Sequence, residues 1–584
     1  MSGAGSLRFK RLTPDPHGEL RVPRLAARLS IGGHPLRGAC PPQKVRPLRS
    51  RPAGSGSLAS WPAWRTIRQI LFFGLPRGVL SVVPQLREAR VMPPLVARHE
   101  RALVLALAIF AGLRVLCFAL AFPFFTNVDE YRHVDAVLKY ARGQLPQAGP
   151  VPYEPEMARL LGVVGSPEYH RDPVAPLRPE LPPPAWQSSR KEVASRVARM
   201  EAYLKSRHSL EAGQAPVYYA AAGAWLVVGR AFGLRDAALL YWVRLLPALA
   251  AAALVFACWA VLRVLYAERP FVFWGVALLV AVMPQDAAYY VTGDALSPLL
   301  GGVAFLLTVR LLAHPSAENG AYFAAGVALA AALLAKYPNA ALYASSGVVS
   351  VVLARRGAAP RRLALLWAAA LAPALVWFGR NAWLGAGLTG TAFKVERLGW
   401  TPKPLSDWLD HPVFSPAGAW VFSRDLVTSF WRGELVWQQR LLASAAADAL
   451  YRVVSFGGLA FAAVGMLRGR GSGTARAAEA AAAAAVVAAV GLLGLLSLAF
   501  VFDATVHPSP AYPYFSNGRL VGGVLVPLAL LIVRGIEEAT SWLPRRGEVA
   551  AWGALAALAA VAVVSELALT APVFASAYNA YHLP

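Results

Sequence analysis

Apolar and polar positions along this chain fall into long blocks rather than short alternating steps. The stretches "ALVLALAIFAGLRVLCFALAF" (102–122) and "AWGALAALAAVAVVSELALTA" (551–571) each reach the roughly 20 apolar residues that cross a bilayer as a helix. Further apolar runs lie near 216–232, 239–262, 270–290, 295–309, 320–335, 337–354, 363–384, 451–467, 477–502 and 518–536. Backbone groups that face lipid can be satisfied only within their own segment, so each crossing run is predicted to be helical. Two long polar blocks interrupt the pattern, a Pro-rich one at 123–214 and another at 385–450. Short polar connections such as "RRGAAPRR" (355–362) and "RGRGSGTAR" (468–476) separate the other runs.

Composition agrees with this pattern. Of 584 residues, 57% are hydrophobic and only 15% charged, too little polar surface for a soluble chain of this length. The predicted fold class is an all-α polytopic membrane protein. The net charge of +25 first suggests a nucleic-acid partner, but its distribution argues otherwise. The first hundred residues hold 15 Arg, 2 Lys and 4 acids, and much of the remaining excess sits in the short connections. Basic short loops mark the cytoplasmic side, so the charge reads as topology and no nucleic-acid partner is expected. Cys40, Cys117 and Cys258 form neither a disulfide framework nor a metal-ligand spacing.

Residues 1–91 show no sustained period and are predicted to be a disordered basic tail. The run "ILFFGLPRGVLSVV" (70–83) is too short to span and is broken by Pro76, and no signal-peptide order is present. A start at Met92 is the alternative, since "MPPLVARHER" makes an ordinary basic leader. The transmembrane domain is then 92–584, with no soluble domain expected after the last run. Placing the basic loops inside and counting spans puts 123–214 and 230–238 both outside. Segment 216–232 therefore has both ends outside, which suits a re-entrant or surface-lying helix. About eleven transmembrane helices remain, with two large outer loops at 123–238 and 385–450.

The stretch "FTNVDEYRHVDAVLKYARGQLP" (125–146) carries the first candidate chemistry. By local grammar it is a complete helix. Asn127 can cap it, Glu130 has capping-box spacing, and Gly143 with Pro146 ends it. On that reading the acid pair Asp129–Glu130 only starts a helix lying on the membrane. However, Asp129 and His133 are four apart and share a helix face, which a cap does not require. By the span count Asp294, in "MPQDAAYYVTGDALSPLL", emerges on the same side, as do Lys336, Arg380 and Arg519 at span ends. Ionisable groups near lipid are costly, and snorkelling is the alternative to function for the cations. Acids and cations on one outer face describe a site for an anionic, lipid-borne substrate.

Asp-Glu, then His, then "YARGQLP" just after a first span resembles the start of the C-superfamily (GT-C) glycosyltransferases. These polytopic enzymes use polyprenyl-phosphate sugars; protein O-mannosyltransferases and lipid A aminoarabinose transferases are among them. "GQAPVYYAAAGAW" (213–225) resembles the family's Pro-aromatic segment, and "MPQDAAYYVTGDAL" (283–296) its second acidic motif. The similarity covers roughly 100–540 with short, degenerate motifs. It implies that Asp129 is the general base, with Glu130 and His133 beside it at the catalytic centre. It implies that Asp294, Lys336, Arg380 and Arg519 bind substrate, the cations stabilising the leaving phosphate. Glu130, His133 and Asp294 can instead hold a divalent cation, Mg²⁺ or Mn²⁺, and the metal question stays open at this point because Asp294 stands alone rather than in a richer acid cluster. The implied partners are a polyprenyl-phosphate-linked sugar, an acceptor glycan, lipid or protein, and the bilayer. The patch "FWRGELVW" (430–437) fits either a clamp on the lipid chain or sugar, or an interfacial aromatic belt. High Ala, Arg, Gly and Pro usage suggests a bacterial inner membrane with the site facing the periplasm. The alternative from another class is a polytopic lipid or solute transporter or flippase, for which Glu479 and Glu566 in apolar runs leave room.

Overall fold

In the computed structural model, the described residues are 94–583 apart from 127–128, 167–181, 284–285, 438–439, 470, 506 and 544–545. The expected tail at 1–91 and the alternative start at Met92 lie outside them. Helix α1 (Pro94–Ala121) is followed by a block of four helices, α2 (Glu130–Ala141), α3 (Pro155–Val164), α4 (Arg190–Lys205) and α5 (Pro216–Ala231). Six helices then follow in close succession: α6 (Asp236–Leu265), α7 (Pro270–Val282), α8 (Ser297–Arg310), α9 (Asn319–Ala335), α10 (Ala341–Arg355) and α11 (Pro360–Trp383). The second polar block contains α12 (Ala392–Arg397) and α13 (Pro416–Arg432). The chain closes with α14 (Ala445–Leu467), α15 (Gly473–Ala499), α16 (Leu525–Thr540) and α17 (Gly547–Phe574). The protein is an all-α polytopic membrane protein. Among the described residues seven helical segments are long and apolar enough to cross a bilayer: 99–121, 236–265, 360–383, 445–467, 473–499, 518–540 and 547–574. Helices α7, α8 and α9 are apolar but shorter.

Packing follows side-chain size. Helix α15 turns a stripe of Ala478, Ala481, Ala482, Ala485 and Ala489 inward, all buried, and lies against α10. In lipid there is little hydrophobic drive between helices, so small residues that let backbones approach supply the contact. Strands are few. Trp400–Pro402 pairs antiparallel with Phe500–Phe502, with Thr401 opposite Val501, and so ties the second polar block to the end of α15.

Two sequence expectations need correction. The apolar run 270–290 is not one helix, because α7 stops at Val282 and the chain then forms a buried loop, 286–296, before α8. Pro284 explains the stop, since a proline disfavours helix at the preceding residue. The "FWRGELVW" patch is neither an exposed clamp nor an interfacial belt. Trp431 is fully buried and stacks on Tyr451 with ring centroids 4.9 Å apart, Arg432 pairs with Asp448 at 2.9 Å, and Trp437 is buried as well.

Charged side chains buried within the bundle are paired, as their desolvation demands. Arg114 of α1 meets Glu566 of α17 at 2.6 Å and donates to the Tyr289 hydroxyl at 2.9 Å, while Tyr289 donates to Glu566. This triad anchors the 286–296 loop to two long helices. Arg534 of α16 and Glu479 of α15 form a second buried pair at 2.6 Å.

Candidate functional site

The site is built where α1 ends. Three backbone carbonyls there, those of Ala119, Phe122 and Pro123, accept hydrogen bonds from Arg244, which reaches across from the start of α6. The last carbonyls of a helix lack partners of their own, so this fully buried guanidinium acts as a cap. Its charge is answered by Glu130, also fully buried, at 2.7 Å. Glu130 in addition accepts from the Phe125 N–H at 2.8 Å and from the Val291 N–H at 3.0 Å. The capping-box reading of Glu130 is therefore corrected. Its carboxylate points away from the start of α2 and fastens three segments together: the turn after α1, helix α6 and the 286–296 loop. A buried carboxylate takes whichever donors its surroundings leave unpaired, and here those are an arginine and two loop amides.

Asp129, next to Glu130, points elsewhere. It occupies the N-cap position of α2 without a side-chain capping bond and pairs with Arg132 at 2.6 Å. Burial by itself raises the carboxyl pKa, but the charges of Lys394, Arg132 and Arg519 outweigh it and hold Asp129 below the usual carboxylate range. Three more pairs lie nearby: the cations of two of them, Lys394 and Arg519, act on Asp129 directly, while Lys336 acts on the adjoining His133. Lys336 sits 2.8 Å from Asp294, Lys394 pairs with Glu211, and Arg519 lies 3.6 Å from Glu434. The four cations come from α2, the turn after α9, α12 and the start of the 518–540 segment. Each keeps between 20% and 23% of its side chain exposed, so each remains reachable by a solute. Asp294 and Glu211 are likewise pushed up by burial and held below the ordinary range by their lysines.

His133 is buried, with Nδ1 2.7 Å from the Tyr219 hydroxyl and the two rings stacked. Burial pushes its pKa down to about 4, with Lys336 and Lys394 opposing the pull of Glu211 and Asp129, so the ring is neutral at ordinary pH. Arg380 stands further off. It donates to the Pro146 carbonyl and to Asn381 and lies over Trp377 at 5.2 Å, which fixes α11 against the "GQLP" turn rather than against Asp129.

The two polar blocks meet at this site through backbone as well as charge. Gly213 and Gly390 face each other so closely that a Cβ on either runs into the other's carbonyl oxygen. Gly390 also has φ of +78°, where a side chain is strained. Gly390→Ala is expected to lift the α12 segment, and Lys394 with it, at a cost of about 1–3 kcal/mol. Thermal unfolding of the purified variant measures this, and an unchanged midpoint contradicts it.

Asp286 is a fifth carboxyl, buried in the same loop as Asp294, and accepts from the Glu434 N–H at 2.8 Å. Burial pushes its pKa up to about 6, helped by the charges of Glu434 and Asp294 and opposed by that hydrogen bond and Arg519. A carboxyl raised in the fold contributes stability that is complete below its ordinary value of 3.8 and lost as pH rises through about 6. Between about pH 4 and pH 7 the loss is on the order of 3 kcal/mol. Asp286→Asn is expected to flatten that part of the melting-temperature profile; a profile identical to wild type rules the assignment out.

Among the described residues no three His, Cys, Asp or Glu side chains converge as metal ligands. Asp129, Glu211, Asp294 and Glu434 each face a lysine or arginine instead. This donor set does not fit Mg²⁺ or Mn²⁺, which want several oxygens around one point. Comparison with protein-family models, curated proteins and solved structures gives no match for this chain.

Sequence reasoning missed Arg132, Glu211, Arg244, Lys394 and Glu434. Arg244 carried a usable signal, an arginine inside the apolar run 239–262, where an ionisable group is functional by default. The others lie in polar blocks where charge is ordinary, and only the fold singles them out.

Proposed function

We propose that the protein is a membrane glycosyltransferase of GT-C type. It moves a sugar from a polyprenyl-phosphate-linked donor to an acceptor hydroxyl at the outer face, with inversion. The observation that carries this reading is the gathering of four carboxylate–cation pairs, from segments far apart in sequence, around Asp129 at one end of a lipid-embedded bundle. The acceptor oxygen attacks the anomeric carbon and its proton passes to Asp129. The bond from that carbon to the phosphate oxygen breaks, and its electron pair leaves on the polyprenyl phosphate. Asp129 is ionised at ordinary pH, as a proton acceptor must be. Its low pKa means that the proton moves as the new bond forms rather than before it. The phosphate gains charge as it leaves, and Lys336, Lys394 and Arg519 can turn toward it from their carboxylate partners. Cations already gathered beside the reacting bond stabilise such charge without being recruited from solvent. Neutral His133, oriented by Tyr219, and Asp294 position the acceptor and Lys336. Glu130 and Arg380 hold the frame. No step passes through a metal.

In this reading eleven helices cross the membrane and α5 returns to the face it left. Tyr219, near its start, meets His133. Trp225 and Trp242 stack at 4.4 Å, which brings its later turns to the beginning of α6. The bilayer is the inner membrane of a bacterium and the site faces the periplasm. The test is product analysis. The purified protein, given radiolabelled polyprenyl-phosphate sugars, is expected to release free polyprenyl phosphate and a product of inverted anomeric configuration. A transporter or flippase would leave the sugar–phosphate bond intact.

A further inference from the structure

Helix α4 is the least buried helix of the first polar block, and of its 16 residues only Leu204 is buried. Its start is fixed by a capping box, in which Ser189 and Glu192 satisfy each other's backbone N–H groups. Its middle is held to α3 where Gly162 meets Val197, so closely that a Cβ on Gly162 would stand 2.7 Å from a Val197 methyl. Beside this crossing a groove of about 510 Å³ opens between the two helices. Arg159 and Val163 of α3 form one wall, and Arg159 is already paired with Asp236. The other wall is a face of α4.

That face has an order of its own. Arg190, Ala194, Val197 and Glu201 follow one another at steps of four, three and four, the spacing that keeps one seam of a helix facing a second helix. At 1.5 Å per residue the seam is about 16.5 Å long, three turns of helix. Val193 and Ala198 flank it. A cation stands at one end and an anion at the other. Both are exposed, and neither side chain has a hydrogen-bond or ion-pair partner among the described residues. Turned end for end, the seam matches itself: Arg190 falls on Glu201, Ala194 on Val197, and Val193 on Ala198. Each charge then meets its opposite, and each valine meets an alanine.

We propose that this face of α4 is the interface between two copies of this chain, with the two α4 helices antiparallel about a two-fold axis that passes beside Ser195 and Arg196. A two-fold interface sets one patch against itself and must be self-complementary, as this seam is. Arg190 of each copy meets Glu201 of the other, and the valines and alanines fill the middle, large against small. Two parallel seams would set Arg190 beside Arg190 and Glu201 beside Glu201, which like charge opposes. An anionic lipid or polymer would answer Arg190 but be repelled by Glu201. A three-turn seam is short and interfaces of that size are weak, so the association belongs to the plane of the membrane rather than to dilute detergent. It does not depend on sugar transfer, because α4 contributes none of the four pairs gathered with Asp129.

The test reads association in a bilayer. Full-length protein carrying a donor or an acceptor fluorophore at its C-terminus is placed in liposomes, and energy transfer is followed as lipid dilutes the protein. Wild type is expected to show transfer above the level of random proximity, removed by excess unlabelled wild type. Arg190→Glu and Glu201→Arg each set like charges against one another at both ends of the seam, and each is expected to weaken association about tenfold or more. The fold should survive both changes, since both positions are exposed and an acid at the first residue of a helix suits its dipole. The two variants mixed, donor on one and acceptor on the other, regain both opposite-charge pairs and are expected to associate as wild type does. Lys191→Glu makes the same charge change one residue off the seam and is expected to leave association unchanged. Absence of specific transfer in wild type, undiminished transfer in both single variants, or a mixture no better than either variant alone overturns the interface.

Discussion

Asp129→Asn is expected to lower sugar transfer by about 10²–10⁴-fold, the usual worth of a positioned general base. Asparagine keeps the size of the side chain and an oxygen that can still accept from Arg132, but it cannot take the acceptor's proton. The fold should survive. Asp129 makes no side-chain capping bond and keeps 22% of its side chain exposed, so its ion pair with Arg132 is worth little, about 1 kcal/mol at most. Activity should therefore fall while expression, membrane insertion and melting temperature stay close to wild type. A variant that retains more than a tenth of wild-type transfer removes Asp129 from the role of base.

The adjacent residue should behave in the opposite way. Glu130→Ala leaves Arg244 charged, fully buried and without its counter-ion, and strips the Phe125 and Val291 amides of their acceptor. Removing one partner of a buried pair typically costs about 3–5 kcal/mol. The turn after α1 and the 286–296 loop lose their shared anchor, so low yield and early unfolding are expected, not a clean loss of turnover. The double variant Glu130→Ala/Arg244→Met removes the stranded charge and should recover part of that loss. Arg244 also caps α1, so recovery should be incomplete. Thermal melts of the two single variants and the double variant measure the coupling, and additive losses contradict it.

These two neighbours show what could be read from the chain and what could not. Long apolar blocks fix helices strongly, because lipid leaves the backbone no other partner, and the span count brought Asp129, Asp294, Lys336 and Arg519 to one end of the bundle. Consecutive residues on a helix point about 100° apart, so Asp129 and Glu130 could not both face one substrate; the sequence did not say which turned inward. The choice depends on Arg244, more than a hundred positions away. Lys394 and Glu211 escaped for a similar reason, since their pairing depends on the backbone approach at Gly213 and Gly390. The aromatic patch at 430–437 misled because composition alone does not distinguish a side chain turned to lipid from one stacked on Tyr451.

The most direct measurement is sugar release from a panel of radiolabelled polyprenyl-phosphate sugars by purified wild type and Asp129→Asn, side by side. Release by wild type from at least one donor, with loss of at least about a hundredfold in the variant, is the expected result. Equal release by both proteins contradicts the role of Asp129, and an intact sugar–phosphate bond in every donor, with the lipid still bound, contradicts the glycosyltransferase itself.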